Sequence, residues 1–426
     1  MTAPATCHAM LMAAPASGQG KTLTTAALAR AYSNSGLRVQ AFKCGPDFID
    51  GMILEVATGK PVYNLDLGMC GEADAQRLLH KAAQENDVIL LEGVMGLYDG
   101  KPSCADIAEH FGIPVALVLN AKAMAQTCAA VAYGLYAFRP ALKRAGVIAN
   151  QVGSNGHANM IKEALPAEIP WLGAMKYDAQ LSLPERHLGL HLAQEITDID
   201  HRIDAAAALL GPDIPLPPAV NFSAPDDNIT KPLLAGKTIA LAKDAAFCFI
   251  YQANLDQLKS LGAKITFFSP LYDTQLPEAD AYWLPGGYPE LHLDKLQQNT
   301  NLRDGLRNAV AAGKPILAEC GGMLAAGESL NGQPVFGLLP GHGNIESKRQ
   351  GLGTQHATFT TNETSSSIGA HTFHYGKFET DLTAITHGKG RYGAGEPVYK
   401  HGSITASFLH FYFPSNPALT AQFFLP

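Results

Sequence analysis

The sequence lacks the features that would assign it to a membrane or to the secretory pathway. No apolar run reaches the ~18 residues of a membrane-spanning helix, and the N-terminal residues Met1–His8 contain no Lys or Arg, so no secretory signal is expected. The seven cysteines include no Cys-x-x-Cys spacing, which argues against a zinc knot and a paired disulfide framework. Together these absences predict a reduced, cytoplasmic enzyme without a membrane partner.

Positive charge is also scarce. The formal net charge is -7, which argues against a non-specific nucleic-acid partner because such binding requires a basic surface. Hydrophobic residues make up 47% of the chain, so it can bury a sizeable core. Its 426 residues are too many for one ordinary domain and suit two. The sequence shows neither an internal repeat nor a low-complexity tract.

The first half repeats a strand-turn-helix pattern. Runs of β-branched residues and leucine alternate with helical stretches, the first of which is a helix predicted at Lys21–Ser35. Such runs are typical of a parallel sheet that is buried on both faces. The predicted strands are Met10–Ala13, Val39–Lys43, Asp87–Leu91, Val115–Asn120 and Val147–Asn150.

Near residue 211 this pattern stops. Gly211–Pro218 is dense in proline, which disfavours helix and sheet because proline has no backbone donor. We therefore predict a linker at residues 211–234, between domains at residues 1–210 and 235–426. The second domain is predicted to hold helices at Asn254–Leu261 and Leu302–Ala312, a more β-like region after Val335, and strands at Thr238–Lys243, Ile265–Phe268, Ala281–Leu284 and Pro315–Ala318.

A glycine-rich segment, Ala14–Thr22, lies between the first predicted strand and the first helix. Its glycines allow backbone N–H groups to face a phosphate chain, its lysine places a positive charge near the β- and γ-phosphates, and its threonine hydroxyl can ligate Mg²⁺. Pro15 stands where the usual pattern has glycine. A glycine-rich turn with a solvated lysine is the alternative. The strand-loop-helix context favours nucleotide binding by Ser17, Gly18, Gly20, Lys21 and Thr22.

Acidic residues follow the next two predicted strands, in Lys43–Asp50 and in Glu92–Gly100. In an open parallel sheet, sites form beyond the carboxyl ends of the strands, so both segments should lie beside the glycine-rich segment. Carboxylates there can hold Mg²⁺. Glu92, at the end of an apolar strand, is the strongest candidate. For Asp50 and Asp99, turn chemistry is an equal alternative.

In the second half, an apolar strand leads into Cys320. Two glycines follow the cysteine, and a helix is predicted after them. This arrangement is typical of a nucleophile elbow, in which the turn exposes the sulfur and the helix N-terminus favours thiolate. Backbone amides of the Pro-Gly-Gly turn after the preceding strand could stabilise an oxyanion. The candidate donors are Gly287 of that turn and Gly321, which follows the cysteine. His410, in an aromatic strand, is the candidate base. A single cysteine is more often a buried hydrophobe, but the elbow favours a nucleophile.

These segments together resemble the cobyrinate a,c-diamide synthase family, which includes hydrogenobyrinate and related tetrapyrrole diamide synthases. The resemblance covers almost the whole chain and depends on an ordered set of motifs rather than on one. The set comprises Ala14–Thr22, Gly45–Asp50, Glu92–Gly100, Leu183–Leu190, Asp244–Phe249, Leu284–Leu291, Ala318–Met323, Phe373–Tyr375 and His410–Pro417.

The resemblance implies an α/β protein of two domains. The N-terminal domain would have a P-loop and a dethiobiotin-synthetase-like parallel sheet, and the C-terminal domain would be class I glutamine amidotransferase-like. Cys320 would attack glutamine to give a γ-glutamyl thioester and ammonia, with His410 as the base. ATP would convert a corrinoid carboxylate into an acyl phosphate, which ammonia converts into an amide at the c and then the a acetate side chain.

The resemblance also implies roles for polar residues of the first domain. Asp50 would contact the substrate, and Asn150 would contact adenine, although an asparagine that ends a strand is as often a turn residue. The implied ligands of Mg²⁺ and of the acyl phosphate are Thr22, Asp47, Glu92 and Asp99.

An internal passage for ammonia is expected, because free ammonia is mostly protonated at neutral pH and is best released where water is excluded.

The sequence departs from the family pattern at several positions. Class I amidotransferases usually carry glutamate two residues after the histidine, but this sequence has Tyr412 there. The cobyrinate branch of the family also lacks this glutamate. The residue that orients His410 is therefore unidentified. The other departures are Gly51 for proline, Leu54 for histidine, Asn120 for aspartate and Thr372 for glutamate. They affect the substrate pocket more than the reaction class.

Three alternative functions have distinct signatures. A sibling enzyme, cobyric acid synthase or a nickel-tetrapyrrole diamide synthase, would differ in the macrocycle that it accepts. A P-loop ATPase with a degenerate amidotransferase half would lack glutaminase activity and tolerate loss of Cys320. A simple glutaminase would leave Lys21 and Glu92 without a role. The expected small molecules are ATP, Mg²⁺, glutamine and a corrinoid, and the oligomeric state is open, with a homodimer as one option.

Overall fold

The computed structural model describes residues 3–183, 192–211, 214–226, 231–361, 364–391 and 395–426, with only the backbone at 185–186, 189–190 and 361. The chain divides into two compact units. The first comprises residues 1–67 and 72–227, and the second comprises residues 68–71 and 228–426. No helix within the described ranges is both long and apolar enough to cross a membrane.

In the first unit, strands and helices alternate along the chain. The described strands are β1 (Ala5–Ala13), β2 (Val39–Cys44), β3 (Tyr63–Leu65), β4 (Val88–Glu92), β5 (Val115–Asn120), β6 (Arg144–Val152), β7 (Trp171–Lys176), β8 (Glu185–Arg186), β9 (Gly189–Leu190) and β10 (Ala219–Phe222). The described helices are α1 (Lys21–Asn34), α2 (Ile49–Thr58), α3 (Glu72–Glu85), α4 (Cys104–His110), α5 (Thr127–Phe138), α6 (Asn155–Ala164) and α7 (Ile199–Leu210).

Strands β1 to β7 form a parallel sheet in the order β3-β2-β4-β1-β5-β6-β7, which confirms the predicted fold class. Successive side chains of β1 point to opposite faces. Leu11 and Ala13 pack into the apolar cluster on one face, and Met10 and Met12 pack into the cluster on the other. Because apolar residues cover both faces, the strands read as continuous hydrophobic runs.

The predicted linker contains a strand. Within residues 211–234, β10 pairs antiparallel with the start of β1, with Phe222 opposite Ala5. Val220 and Phe222 point into the core while the alternate residues are exposed, so burial of two apolar side chains outweighs the proline-rich context. The family-like segment Leu183–Leu190 cannot be compared as a whole, because Pro184, His187 and Leu188 lie outside the described residues.

The second unit begins with the same alternation and then becomes largely β. Its described helices are α8 (Gln252–Ser260), α9 (Leu293–Gln298), α10 (Thr300–Ala311), α11 (Gly321–Ala326) and α12 (Pro417–Gln422). Its described strands are β11 (Thr238–Ala242), β12 (Lys264–Phe268), β13 (Ala281–Leu284), β14 (Ile316–Glu319), β15 (Ser329–Leu330), β16 (Gln333–Pro334), β17 (His342–Ile345), β18 (Gly351–Thr361), β19 (Thr364–His374), β20 (Gly376–Glu379), β21 (Ala384–Gly390), β22 (Pro397–His401), β23 (Ile404–Ser407) and β24 (His410–Phe411).

The main sheet of this unit has the order β12-β11-β13-β14-β23-β22-β21-β18-β19-β24. Its first five strands are parallel, and the remainder continues antiparallel, which confirms the β-rich region predicted after Val335. Strand β14 lies between β13 and β23 and ends at the predicted elbow. Three short segments that come from distant parts of the sequence therefore meet at the carboxyl edge of this sheet.

Candidate active sites

The glycine-rich segment after β1 forms a loop that enters α1. Gly18 and Gly20 have φ of 74° and 87°, a left-handed conformation that glycine adopts without strain. Helix α1 has no side-chain cap and no acidic residue in its first turn, so its positive end is free to meet an anion. Lys21 Nζ donates to the carbonyls of Ala16 (3.2 Å) and Met95 (2.6 Å) and thus lies over the loop. This arrangement can hold nucleotide phosphates.

Thr22 and Glu92 form a polar centre beside the loop. Thr22 Oγ1 donates to Glu92 Oε1 at 2.6 Å. Glu92 is fully buried, and no donor in the described part of the chain bonds its Oε2. Burial raises the pKa of Glu92 to about 7, although the Lys43 ammonium opposes the shift. A buried carboxylate oxygen without a protein donor is a ligand suited to Mg²⁺, so these residues fit a divalent cation.

Lys43 is a site residue that sequence reasoning missed. Its ammonium is buried 2.6 Å from Asp50 Oδ2 and 3.3 Å from Glu92 Oε1. Desolvation lowers the pKa of Lys43, but the carboxylates of Asp50, Glu92 and Asp47 outweigh it and hold the pKa above its usual value. Its position at the carboxyl end of an apolar strand was the available signal. Lys43 is thus a second fixed cation beside the phosphate loop.

The other predicted acidic residues lie nearby in different settings. Asp47 Oδ1 accepts from the N–H of Asp50 at 2.8 Å, and burial, followed by the Asp50 charge, raises the pKa of Asp47 to about 6. Asp50 reaches the site through its ion pair with Lys43. Asp99 is exposed, and its Oδ2 accepts from Gly96 N at 3.0 Å within its own turn.

Asn150 braces the phosphate loop from the end of β6. Its Nδ2 donates to Gln19 O at 2.9 Å, and a side chain on Gly20 would collide with the same amide. At the end of β5, the N–H of Asn120 donates to Gln19 Oε1 at 3.0 Å. Two parallel strands thereby fix the loop, while Ser17 is exposed within it. The predicted contact of Asn150 with adenine stays a proposal.

Cys320 occupies a strained elbow between β14 and α11. Its φ is 48° and its ψ is -110°, an unusual backbone conformation for a non-glycine residue. The glycine at 322 is required, because a Cβ there would collide with the carbonyl of Leu284. Burial raises the pKa of the Cys320 thiol, while the N–H of Gly321 opposes that shift. Burial therefore favours the thiol over the thiolate.

The two predicted oxyanion donors are adjacent. The carbonyl of Gly286 accepts from the N–H groups of Cys248 and Phe249, both at 3.0 Å, which fixes the turn after β13. A Cβ on Gly321 would lie 3.0 Å from Gly287 N, so the two backbone segments are in close contact. Such paired amides can stabilise a developing oxyanion beside the cysteine.

His410 lies beside Cys320. A Cβ on Gly286 would overlap Cε1 of His410 and lie 3.3 Å from Cβ of Cys320, so both side chains border the same glycine. Burial, followed by His371 and His374, holds the pKa of His410 well below its usual value. A neutral imidazole beside a thiol can take its proton when the sulfur attacks.

Glu319 and Asn254 hold the segment that carries His410, and sequence reasoning missed both. Glu319 precedes the cysteine, and its two oxygens accept from the N–H of Phe411 (2.9 Å) and from Trp283 Nε1 (2.8 Å). Asn254 donates to Phe411 O at 2.7 Å and accepts from Phe413 N at 2.8 Å. Glu319, at the end of an apolar strand, could have been found by its charge, whereas Asn254 lies in a largely polar helix and gave no such signal. One carboxylate thus connects the cysteine strand directly to the histidine strand.

Comparisons with known proteins agree with this division. Residues 10–190 match the CobQ/CobB/MinD/ParA nucleotide binding domain, and residues 238–418 match the CobB/CobQ-like glutamine amidotransferase domain. The chain is 49% identical to the hydrogenobyrinate a,c-diamide synthase of Stutzerimonas stutzeri, over 99% of both chains. It is 46% identical to the cobyrinate a,c-diamide synthase of Herminiimonas arsenicoxydans, over 98% of this chain and 96% of that one. The chain belongs to the a,c-diamide synthase family.

As a member of the a,c-diamide synthase family, it is a glutamine-dependent ligase with a nucleotide-binding domain. A further relative, the hydrogenobyrinate a,c-diamide synthase of Pseudomonas aeruginosa, is 48% identical over 99% of this chain and 98% of that one. The predicted family, fold class and enzyme class are thereby confirmed.

Two departures from the diamide synthase pattern can be located in the second unit. Tyr412 is fully buried and packs edge-on against Tyr251, with ring centroids 5.8 Å apart. Thr372 is also buried, and its Oγ1 donates to Glu396 Oε1 at 3.0 Å. A carboxylate therefore lies beside position 372, supplied by a different segment of the chain.

The departures in the nucleotide-binding domain have simpler surroundings. Leu54 lies on the buried face of α2 and contributes to the apolar core. A Cβ on Gly51 would make an ordinary contact of 3.6 Å with Val62. Asn120 Oδ1 accepts from Lys122 N at 3.0 Å, so this residue ends its strand with a local turn.

Proposed function

We propose that this chain converts the c and then the a acetate carboxylate of cobyrinate or hydrogenobyrinate into amides, with ATP and glutamine as co-substrates. The observation that carries the proposal is that one chain holds two complementary sites, a thiol beside a neutral imidazole and a phosphate loop beside buried lysines and carboxylates. The corrinoid substrate class is supported by relatives that match nearly the whole chain.

In the glutaminase step, Cys320 attacks the side-chain amide carbon of glutamine while His410 takes the thiol proton. The amides of Gly287 and Gly321 stabilise the tetrahedral oxyanion. His410 then protonates the leaving nitrogen, and the C–N bond breaks to give ammonia and a γ-glutamyl thioester. Water hydrolyses the thioester, which releases glutamate and restores the thiol.

In the ligase step, a carboxylate oxygen of the corrinoid attacks the γ-phosphorus of ATP, and ADP leaves. Ammonia then attacks the carbonyl carbon of the acyl phosphate, and phosphate leaves as the amide forms. Activation is needed because a carboxylate is a poor electrophile. Lys21 and Lys43 supply positive charge where the transferred group gains negative charge, and the backbone of Ser17, Gly18 and Gly20 cradles the phosphates.

Magnesium fits the carboxylate centre of this domain. Glu92 and Thr22 would hold the ion, with Asp47 and Asp99 as further oxygen ligands, and the ion would neutralise phosphate charge. Asp50 would contact the corrinoid and Asn150 the adenine ring. We also propose that the enzyme is cytoplasmic. A homodimer is the assembly that light scattering would test.

The test is mass spectrometry of cobyrinate and hydrogenobyrinate after incubation with the purified chain, ATP, Mg²⁺ and glutamine. Two successive acid-to-amide mass changes in one of the macrocycles are expected, and the preferred macrocycle shows whether cobalt is present on arrival. The proposal is wrong if neither macrocycle is amidated while a nickel tetrapyrrole or an already diamidated corrinoid is.

A further inference from the structure

The carboxylate of Glu396 is fixed by side chains of the amidotransferase domain. Thr372 Oγ1 and His374 Nε2 both bond its Oε1, each at 3.0 Å. Its backbone is fixed as well, because Glu396 N donates to Gln355 Oε1 at 2.9 Å. The carboxylate side chain is only 12% exposed. Such fixation lowers the entropy lost when a ligand binds.

The ring of His374 holds one oxygen of the Glu396 carboxylate in place. His374 Nδ1 lies 2.7 Å from the carbonyl of Gly376, and Nε2 lies 3.0 Å from the Glu396 carboxylate. Polar contacts at both ring nitrogens thus hold the His374 ring against Glu396. Its ring stacks on Phe408 at 3.7 Å. The second oxygen of Glu396, Oε2, has no hydrogen-bond donor among the described residues.

Glu396 lies close to the candidate nucleophile. The N–H of Cys320 donates to Ser407 O, and Ser407 Oγ donates to the carbonyl of Pro397, both at 2.8 Å. Pro397 directly follows Glu396. The Glu396 charge also raises the pKa of Cys320, after burial and the charge of Glu290. The negative charge of Glu396 disfavours the Cys320 thiolate, so it does not assist attack by the sulfur. Binding of a positively charged ligand explains a carboxylate at this position better.

We propose that Glu396 binds the α-ammonium group of glutamine and thereby selects α-amino acid amides over simple amides. The inference rests on the proposed function, in which glutamine donates nitrogen at Cys320. When the side-chain amide carbon of glutamine lies at the sulfur, the ammonium nitrogen is three carbon–carbon bonds and one carbon–nitrogen bond away, and it must be paired when it leaves water. A fixed carboxylate with an available oxygen provides that partner through a charge-assisted hydrogen bond.

The test compares glutamine with 4-carbamoylbutanoate, which is glutamine without its α-amino group. In the full-length chain, Glu396→Gln keeps an acceptor for Thr372 but removes the charge. We expect the wild-type preference for glutamine, measured as the ratio of kcat/KM values for amide hydrolysis, to fall at least about tenfold. The loss should appear in KM for glutamine, while ammonia-supported amidation stays at its wild-type rate.

Two comparisons separate this role from a structural one. Glu379→Gln removes an exposed carboxylate of the same domain and should leave the preference unchanged. Glu290→Gln removes another carboxylate whose charge acts on the sulfur, and the inference is overturned if this variant, rather than Glu396→Gln, loses the preference. It is also overturned if Glu396→Gln slows both amides equally. If that variant does not fold, Glu396→Asp replaces it, with a smaller loss of preference expected and an unchanged preference counting against the inference. Absence of glutamine hydrolysis by the wild type would instead contradict the proposed function.

Discussion

At the scale of single residues, the chemistry depends on which proton each buried group carries. Burial favours the neutral thiol of Cys320 and the neutral imidazole of His410. The candidate pair is therefore favoured in its uncharged form. In the other unit, the buried Lys43 keeps its charge because two carboxylates lie within 3.3 Å of its nitrogen. Burial thus leaves the groups of one candidate site neutral, whereas the ion pairs of the other keep its lysine charged.

Replacement of the nucleophile should separate the two activities. We expect Cys320→Ala to abolish glutamine-dependent amidation and to leave ammonia-dependent amidation unchanged, because the phosphate site is intact. Rates with each nitrogen source measure this directly. Cys128→Ala, at a buried cysteine of α5, is the control that should retain both activities. Equal loss of both activities in Cys320→Ala would contradict the assignment.

The buried carboxylate of Glu319 should make stability depend on pH. Burial raises its pKa to about 8 from an unfolded value of 4.5, so the folded state binds more protons between these values. Stability should therefore fall as pH rises through this window, by at most about 1.4 kcal/mol per pH unit. Thermal unfolding of wild type and Glu319→Gln at several pH values measures the difference. Parallel pH profiles for the two proteins, like those expected for the exposed Glu328→Gln control, would contradict it.

At the scale of elements, the amidotransferase site depends on the ends of strands. Strand β14 carries Cys320, the turn after β13 carries Gly287, and the short β24 carries His410. Because β24 has only two residues, its own ladder supplies few hydrogen bonds. Glu319 and Asn254 supply the rest from neighbouring elements. The position of the candidate base, His410, is therefore set by side chains bonded to the backbone of Phe411 and Phe413.

Loss of Asn254 should displace the base. Asn254→Ala leaves the buried N–H of Phe413 and the carbonyl of Phe411 without their partners, at a cost of about 1–3 kcal/mol for each group. We expect lower thermal stability and a lower kcat for glutamine hydrolysis, with ammonia-dependent amidation spared. Asn308→Ala, on the exposed face of α10, is the matched control. Wild-type glutaminase kcat in Asn254→Ala would show that the clamp does not position His410.

At the scale of the whole molecule, two units with different chemistry share one chain. Each has a run of parallel strands whose ends carry the candidate site residues, and each has its own apolar cores. Residues 68–71 belong to the second unit although the chain around them belongs to the first. The units are thus not separated by a single cut in the sequence.

A mixture of two defective variants tests whether both activities must share a chain. Lys21→Ala should retain glutaminase activity and lack amidation, whereas Cys320→Ala should show the reverse. Ammonia released into bulk water at neutral pH is diluted and mostly protonated, so we expect the mixture to recover less than about a tenth of the wild-type glutamine-dependent rate. Added ammonia should restore amidation in the mixture, because the Cys320→Ala variant keeps its phosphate site. A mixture as fast as the wild type would contradict coupling within one chain.

Much of the fold could be predicted because local pattern dominates in buried parallel strands. The bounds of β5 and β13 agree with the prediction to the residue. Strand β10 was not predicted, because it forms by pairing with β1, about two hundred residues away in the sequence. Thr6 of β1 also donates a hydrogen bond to Asn221 of β10. Lys43 and Glu319 were missed for a similar reason, since a charged residue in an apolar strand has a role only when its partners from other strands are known.

The sequence by itself determined the two-domain α/β organisation, the phosphate loop, the elbow and the family, because each depends on short-range spacing of glycine, charge and apolar residues. Only the tertiary structure decided that His410 borders the same glycine as Cys320, that Glu319 connects their strands, and that Glu396 supplies a carboxylate beside Thr372. These are contacts between distant segments, and local sequence carries no record of which distant partner will complete a buried hydrogen bond.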